Sequence, residues 1–165
     1  MQVIEVSNLD FSYDGKNKVL DGVSFGVNRG EFVRHSRSER SRKTTLFKVL
    51  LRFLKPLSGK IRLFGKDIRS FREWNRIGYV PQRLSVEQNF PATVEELLNL
   101  VAGRERVREI SHYLHIDNFM KNQFLKLSGG QQQLVLLGMA LASDPDLLLL
   151  DELIAGRWTS TPRCT

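Results

Sequence analysis

The chain opens with short runs of β-branched and aromatic residues that are typical of strands. These runs lie at residues 3–6, 19–20 and 23–25. The segment Asp14-Gly15-Lys16-Asn17, between the first two runs, has the composition of a tight turn. The pattern therefore predicts a small β unit at the start of the chain.

Helical and strand patterns follow along the rest of the chain. Apolar residues recur at helical spacing over residues 43–54, and Pro56 with Ser58-Gly59 ends that helix. Four leucines at 147–150 form a short continuous apolar run, which is typical of a buried strand in a parallel sheet. The remaining predicted elements are strands at 61–64 and 77–80 and helices at 93–101 and 104–115.

Composition sets limits on the class of protein. With 165 residues, 41% of them hydrophobic, the chain is long enough for one domain with a sizeable core. Cys164 is the single cysteine, so the sequence holds no disulfide framework and no cysteine-based metal site. No signal peptide or long apolar stretch is found, and residues 147–150 are too short to span a bilayer. These features predict a soluble cytoplasmic protein that would reach a membrane through partners.

Two segments carry candidate chemistry. Leu127-Ser128-Gly129-Gly130-Gln131 puts a serine and two glycines at the start of a helix, where free N–H groups and the positive end of the helix dipole can hold a phosphate. The leucine strand ends in Asp151 and Glu152, which suit a magnesium ligand and a group that polarises a water molecule. Together the two segments indicate nucleotide hydrolysis.

Five motifs stand in the order in which one ATPase family carries them. The first three are an aromatic A-loop at Phe11-Ser12-Tyr13, Lys43-Thr44-Thr45 at the end of a P-loop, and a Q-loop at Tyr79-Val80-Pro81-Gln82. The LSGGQ signature at 127–131 and the Walker B strand LLLLDE at 147–152 complete the set at the usual separation. The chain therefore resembles the ATP-binding subunit of ABC transporters.

The resemblance covers residues 1–156 and implies an α/β fold, a P-loop NTPase of ABC type. Its core is a mainly parallel sheet, with an N-terminal antiparallel β subdomain and a helical subdomain at about residues 83–127. Residues 157–165 are expected to form an aberrant tail in place of the missing C-terminal part. Within the family, residues 76–83 and 90–94 look most like those of subunits that import zinc or manganese.

The family also implies roles for individual residues toward ATP and Mg2+. Tyr13 would stack on adenine, and the phosphates would be bound by Lys43, Thr44 and Thr45. Magnesium would be held by Thr44, Gln82 and Asp151, and Glu152 would polarise the attacking water. The γ-phosphate bound to a second subunit would be met by Ser128, Gly129, Gly130 and Gln131. Each role has a simpler alternative. Tyr13 is also explained as a strand aromatic, Gln82 as a surface-loop residue, Asp151 as a solvated carboxylate and Ser128 as a helix N-cap.

The implied function couples ATP hydrolysis to transport of a divalent metal ion across a membrane. The implied partners are transmembrane permease subunits, a second ATPase subunit and, indirectly, a substrate-binding protein. The implied location is the cytoplasmic face of the cell membrane, as a peripheral protein. No nucleic-acid partner is expected.

The P-loop departs from the family pattern G-x-x-x-x-G-K-[ST]. Arg37, Arg40 and Arg42 stand where the family has glycine. Their side chains occupy the space of the phosphates, and each left-handed position costs a non-glycine residue about 1–2 kcal/mol. A guanidinium attracts phosphate but cannot replace a preformed ring of amides. ATP affinity is therefore expected to be lost or severely weakened, with no significant turnover.

A shifted reading frame explains the arginine-rich segment. One permissible coding of Arg34–Lys43, read one base later, gives Ala-Ile-Leu-Gly-Pro-Asn-Gly-Ala-Gly-Lys, an intact P-loop. A similar shift over Gly156–Thr165 gives Leu-Asp-Val-Asp-Ala, which resembles the family's D-loop. We hypothesise an inserted base and a compensating loss near the P-loop, either in the gene or in its sequencing. Reading the DNA across both segments tests this hypothesis.

The formal charge of +7 and the pI near 9.9 would ordinarily suggest nucleic acid or an anionic membrane as partner. However, segment 34–42 holds four arginines and one glutamate, and segment 157–165 holds two more arginines, so most of the charge lies in these two segments. Two competing functions remain. One is a non-catalytic interaction protein that docks through residues 82–127, and the other is a basic nucleic-acid-binding protein that uses residues 34–43.

Overall fold

The computed structural model describes residues 2–33, 40–82 and 90–151. It divides into two compact units, Met1–Trp74 and Asn75–Thr165. The elements are β1 (Gln2–Ser12), β2 (Lys18–Asn28), α1 (Arg40–Leu50), β3 (Ser58–Leu63), β4 (Lys66–Asp67), β5 (Ile77–Val80), α2 (Val94–Asn99), α3 (Arg104–Tyr113), α4 (Gly129–Leu141) and β6 (Leu147–Leu150). Short 3-10 turns lie at Trp74–Arg76, Asp117–Phe119 and Phe124–Lys126.

The first unit is built on an antiparallel sheet with strand order β2-β1-β3-β4. Strand β1 lies between β2 and β3, and its Leu9 is fully buried. The β1–β2 hairpin confirms the turn that the sequence predicts at residues 14–17. Asp14 closes that turn, because its carboxylate accepts hydrogen bonds from the Ser12 hydroxyl at 2.7 Å and from the N–H groups of Lys16 and Asn17 at 2.9 and 2.8 Å.

Helix α1 differs from the helix predicted over residues 43–54. It begins at Arg40 and ends at Leu50, so Phe53 lies beyond its end and is exposed. The helix stops because Arg52 takes a left-handed conformation, φ 61°, and the N–H of Phe53 turns back to the carbonyl of Lys48 at 2.8 Å. A glycine usually marks such an ending, and none stands here. The prediction of the helix end was therefore wrong.

The second unit contains a parallel pair of strands, β5 and β6, with Ile77 opposite Leu147 and Val80 opposite Leu150. Both strands have the predicted bounds. Helix α4 packs very closely on β5, because a Cβ added at Gly78 would lie 2.7 Å from the carbonyl oxygen of Ala140. Glycine at this position therefore sets the distance between the helix and the strand.

Helices α2, α3 and α4 enclose an apolar cluster in the second unit. It includes Leu98, Ile116, Phe124 and Val135, all almost completely buried. Helices α2 and α3 fall within the segments predicted as helical, and both stop two residues before the predicted ends. Among residues 2–33, 40–82 and 90–151, no helix is long and apolar enough to cross a bilayer.

Candidate functional site

Helix α4 begins at the predicted anion site with a reciprocal cap. Ser128 is the N-cap, with extended backbone angles (φ −62°, ψ 155°). Its hydroxyl accepts a hydrogen bond from the N–H of Gln131 at 3.3 Å, and the side-chain oxygen of Gln131 accepts one from the N–H of Ser128 at 2.9 Å. The sequence pattern of serine followed three residues later by glutamine forms this capping box because both side chains satisfy N–H groups that the helix leaves open.

The first turn of α4 has room for a ligand at Gly130. Gly129 and Gly130 follow the cap directly, and a Cβ added at Gly130 would meet no atom within 4 Å. The backbone dipoles of the 13-residue helix concentrate positive potential at this end. This arrangement can bind an anion such as a phosphate group through the backbone. The same geometry fits both interpretations of Ser128, as a helix N-cap and as part of an anion site.

Asp151 is a buried carboxylate at the end of β6. Only 3% of the residue is exposed, and its N–H donates to the carbonyl of Val80 at 2.9 Å, which extends the pairing of β5 and β6 by one residue. Tyr79 lies opposite Leu149, on the same face as Asp151, and its hydroxyl donates to the Asp151 carboxylate. Burial, followed by the charge and hydrogen bond of Asp151, raises the pKa of Tyr79 above its usual value. Asp151 is therefore not a solvated surface carboxylate.

Gln82 stands two residues beyond β5. Its side chain is exposed, and its carbonyl oxygen accepts a hydrogen bond from the side-chain Nε2 of Gln133 on α4 at 2.8 Å. The second unit thus places Asp151 and Gln82 on two neighbouring strand ends, with α4 bonded to one of them. This agrees with the rule that ligands of parallel α/β sheets gather at the carboxyl ends of the strands.

Tyr13 lies in the first unit, at the start of the β1–β2 turn. It is 62% exposed, its ring packs edge to face against Phe11 at 4.9 Å, and its hydroxyl shares a hydrogen bond of 3.1 Å with the hydroxyl of Thr45. Thr45 itself is buried in α1. The contact brings the predicted adenine-stacking ring and one predicted phosphate ligand together.

The start of α1 carries an unfavourable charge pattern. Arg40, Arg42 and Lys43 fall within its first four residues, and its first turn has no acidic residue. Cations at a helix N-terminus oppose the helix dipole. The Lys43 ammonium lies 6.0 Å from the centre of the Phe47 ring, and Thr44 is half-buried.

The structure brings some of the predicted site residues together and does not describe the positions of others. Glu152 and Arg37 lie outside the described residues. The sequence interpretation gave no role to Gln133 or to the Tyr79 hydroxyl. Both act through tertiary contacts, and the only signal for Tyr79 was its position inside the Q-loop motif.

Comparison with known proteins shows the family to which the chain belongs. The family model described as ABC transporter matches residues 20–155, most of the chain. The chain belongs to the ABC transporter family. Membership in this ABC family implies a domain that binds ATP, in agreement with the anion site on α4.

Curated relatives include ATP-binding proteins of zinc import and zinc uptake systems. The zinc import ATP-binding protein ZnuC of Jannaschia sp. (strain CCS1) is 39% identical over 158 residues, which cover 94% of this chain and 61% of that protein. The zinc uptake system ATP-binding protein ZurA of Listeria innocua is 34% identical over 169 residues, covering 94% and 65%. The present ABC chain thus spans a little over three-fifths of the length of these relatives.

Solved structures confirm the predicted fold class. An ATP-binding cassette of an ABC transporter in its ADP conformation superposes with a TM-score of 0.74 at 28% identity, covering 95% of this chain and 71% of that chain. The cbiO1 protein of Clostridium perfringens, described as part of an ABC transporter complex, gives 0.71 at 25% identity, covering 90% and 64%. The chain is therefore an ABC-type α/β P-loop NTPase domain with an N-terminal antiparallel sheet.

Proposed function

We propose that this chain is the ATP-binding subunit of an ABC importer for a divalent metal ion, zinc or manganese, and that its arginine-rich loop impairs ATP binding. One observation carries the proposal: a capped, glycine-rich helix start lies in the same unit as a strand that ends in a buried carboxylate. The names of the curated relatives support zinc as the transported ion.

The proposed roles follow the chemistry of each group. Ser128, Gly129, Gly130 and Gln131 bind the γ-phosphate of a nucleotide held by a second subunit, because their backbone forms an exposed anion site. Lys43, Thr44 and Thr45 bind phosphates of the chain's own nucleotide, and Tyr13 offers an exposed ring for adenine. Glu152 would polarise the attacking water.

Magnesium fits the donor groups of the proposed site. A buried carboxylate needs a compensating charge or strong hydrogen bonds, and Asp151 has the Tyr79 hydroxyl as one partner. Carboxylate, hydroxyl and amide oxygens are ligands that Mg2+ accepts. Asp151, Thr44 and Gln82 would hold the ion, which supplies positive charge to the phosphates. Of the chain's own groups, the Tyr79 hydroxyl orients the Asp151 carboxylate.

The proposed impairment rests on the residues around the P-loop lysine. Phe32 and Val33, just before the arginine-rich segment, have no regular secondary structure, and Phe32 is 85% exposed. In the first turn of α1, Arg40 and Arg42 stand where the family has glycine, so the flexible backbone that would enclose a phosphate beside Lys43 is missing. The account therefore expects weak ATP binding despite strong local positive charge.

The proposal is tested with the purified full chain and its Glu152→Gln variant in a magnesium-dependent ATPase assay. The expected result is no turnover by the wild-type chain above that of the variant, because both lack a closed phosphate loop. Turnover that the substitution abolishes would refute the impairment. In parallel, the chain should co-purify with the membrane subunits of a zinc import system, and failure to do so would refute the importer role.

A second candidate is a non-catalytic interaction protein that docks through residues 82–127. The apolar cluster of α2, α3 and α4 favours it, because this cluster lies in the second unit, whereas the altered loop belongs to the first. It predicts co-purification with membrane subunits that ATP neither strengthens nor weakens. Release or tightening by ATP would exclude it.

A further inference from the structure

Gln133 is a buried glutamine on α4, the signature helix, to which neither the anion site nor the magnesium site assigns a role. The residue is 8% exposed, and its Nε2 donates to the main-chain oxygen of Gln82 at 2.8 Å. We propose that Gln133 is a positioning residue that fixes the backbone of Gln82 to the signature helix. The proposal rests on the function proposed above only for the role of Gln82 toward magnesium, because the contact itself needs no ligand.

The orientation of the Gln133 amide follows from its partner. A carbonyl oxygen can only accept, so the amide must present its nitrogen to Gln82. If the amide were flipped, Oε1 of Gln133 would lie beside the carbonyl oxygen of Gln82, and neither oxygen could donate a hydrogen bond. As a consequence, Oε1 of Gln133 is buried and has no hydrogen-bond partner within the described part of the chain.

The bond joins two elements that already pack closely together. Gly78 lies so close to α4 that no side chain fits between the strand and the helix. At the end of the same strand, Val80 accepts the N–H of Asp151 at 2.9 Å. Because β5 is held on both sides, the Gln133 bond leaves Gln82 little freedom to move independently of α4.

The position of Gln133 along α4 links the two proposed ligand groups. Ser128 caps the helix five residues earlier, at the end that would meet a phosphate. Gln82 would reach the magnesium ion. Because a helix moves as a unit over this distance, a displacement of its N-terminus would reach Gln82 through the Gln133 bond, in addition to the packing of β5 on α4.

The test compares Gln133→Met with a matched variant, Gln132→Met, by limited trypsin digestion of the full chain without nucleotide. Gln132 is also a glutamine of α4, but its Nε2 donates to the carbonyls of Phe124 and Leu127 at 3.2 and 3.3 Å. Trypsin can cleave next to an acceptor of each glutamine: after Arg83, beside Gln82, and after Lys126, beside Leu127. The relative cleavage rate at the two sites, measured by mass spectrometry, is the readout.

The proposal predicts that Gln133→Met accelerates cleavage after Arg83 about fivefold relative to cleavage after Lys126, the change expected from one lost hydrogen bond. Gln132→Met should shift the ratio in the opposite direction. A merely structural role would accelerate both sites together in either variant. Equal acceleration at both sites, or an unchanged rate after Arg83, would overturn the proposal. Because the assay contains no nucleotide, failure of the importer function would not alter its outcome.

Discussion

Ser128 and Thr93 cap α4 and α2 with the same reciprocal arrangement of hydrogen bonds. Replacing either by alanine should lower the free energy of unfolding by about 1 kcal/mol, because one helix N–H loses its acceptor. Urea unfolding of both variants measures this. Thr93→Ala is the control, since it removes an equivalent cap away from the signature. A Ser128→Ala variant as stable as wild type would show that the cap bonds contribute nothing to α4.

The stability of the first unit is predicted to depend on pH through the ionisation of Asp14. Hydrogen bonds from Asn17, Ser12 and Lys16 hold the pKa of Asp14 far below its usual value of 3.8. A lowered pKa stabilises the folded chain above the unfolded-state pKa, and this contribution is lost as the pH falls further. The stability difference between wild type and Asp14→Asn should therefore stay constant from pH 7 to about pH 5 and shrink below about pH 4. Thermal unfolding of both chains across this range is the measurement, and a difference that grows on acidification would contradict the assignment.

At the scale of the elements, a single added methyl group tests how closely β5 packs against α4. Gly78→Ala would place its Cβ 2.7 Å from the Ala140 carbonyl, so the helix backbone must shift, at a cost of about 1–3 kcal/mol. The control is Gly138→Ala, whose Cβ meets only side-chain methyls of Ile110, Leu114 and Leu98 at 3.1–3.3 Å and gains helix propensity. Urea unfolding should show a much larger loss for Gly78→Ala. Equal losses would contradict the close approach.

Local signals in the sequence place β5, β6 and the start of α4, whereas α1 and β3 begin and end at other residues than predicted. The leucine run predicts β6 because a parallel strand is apolar on both faces, and Ser128 with the two glycines after it predicts the start of α4. The end of α1 was not predictable, since Arg52 adopts a conformation that usually belongs to glycine. The Gln133–Gln82 and Tyr79–Asp151 contacts were also missed. These contacts join residues far apart in sequence, and the periodicity of apolar residues predicts local elements but not such long-range pairs.

At the scale of the whole molecule, the motifs are distributed over both units. The first unit carries Tyr13, Lys43, Thr44 and Thr45, and the second carries Gln82, the signature and Asp151. The described part of the second unit retains its packed core, its helix cap and its buried carboxylate. Our proposal places the impairment of ATP binding at positions 37, 40 and 42, before and at the start of α1, and restoring the glycines there should restore nucleotide binding.

The most direct test of this account measures Mg-ATP binding by titration calorimetry on two full chains. One is the wild type, and the other has residues 34–42 replaced by Ala-Ile-Leu-Gly-Pro-Asn-Gly-Ala-Gly. The account predicts that the replacement tightens binding at least about 100-fold, because several charge-assisted hydrogen bonds from backbone amides return. Adding Lys43→Ala to the restored loop should abolish the gain. Equal affinity of the two chains, or a folded restored chain that binds no Mg-ATP, would contradict the account.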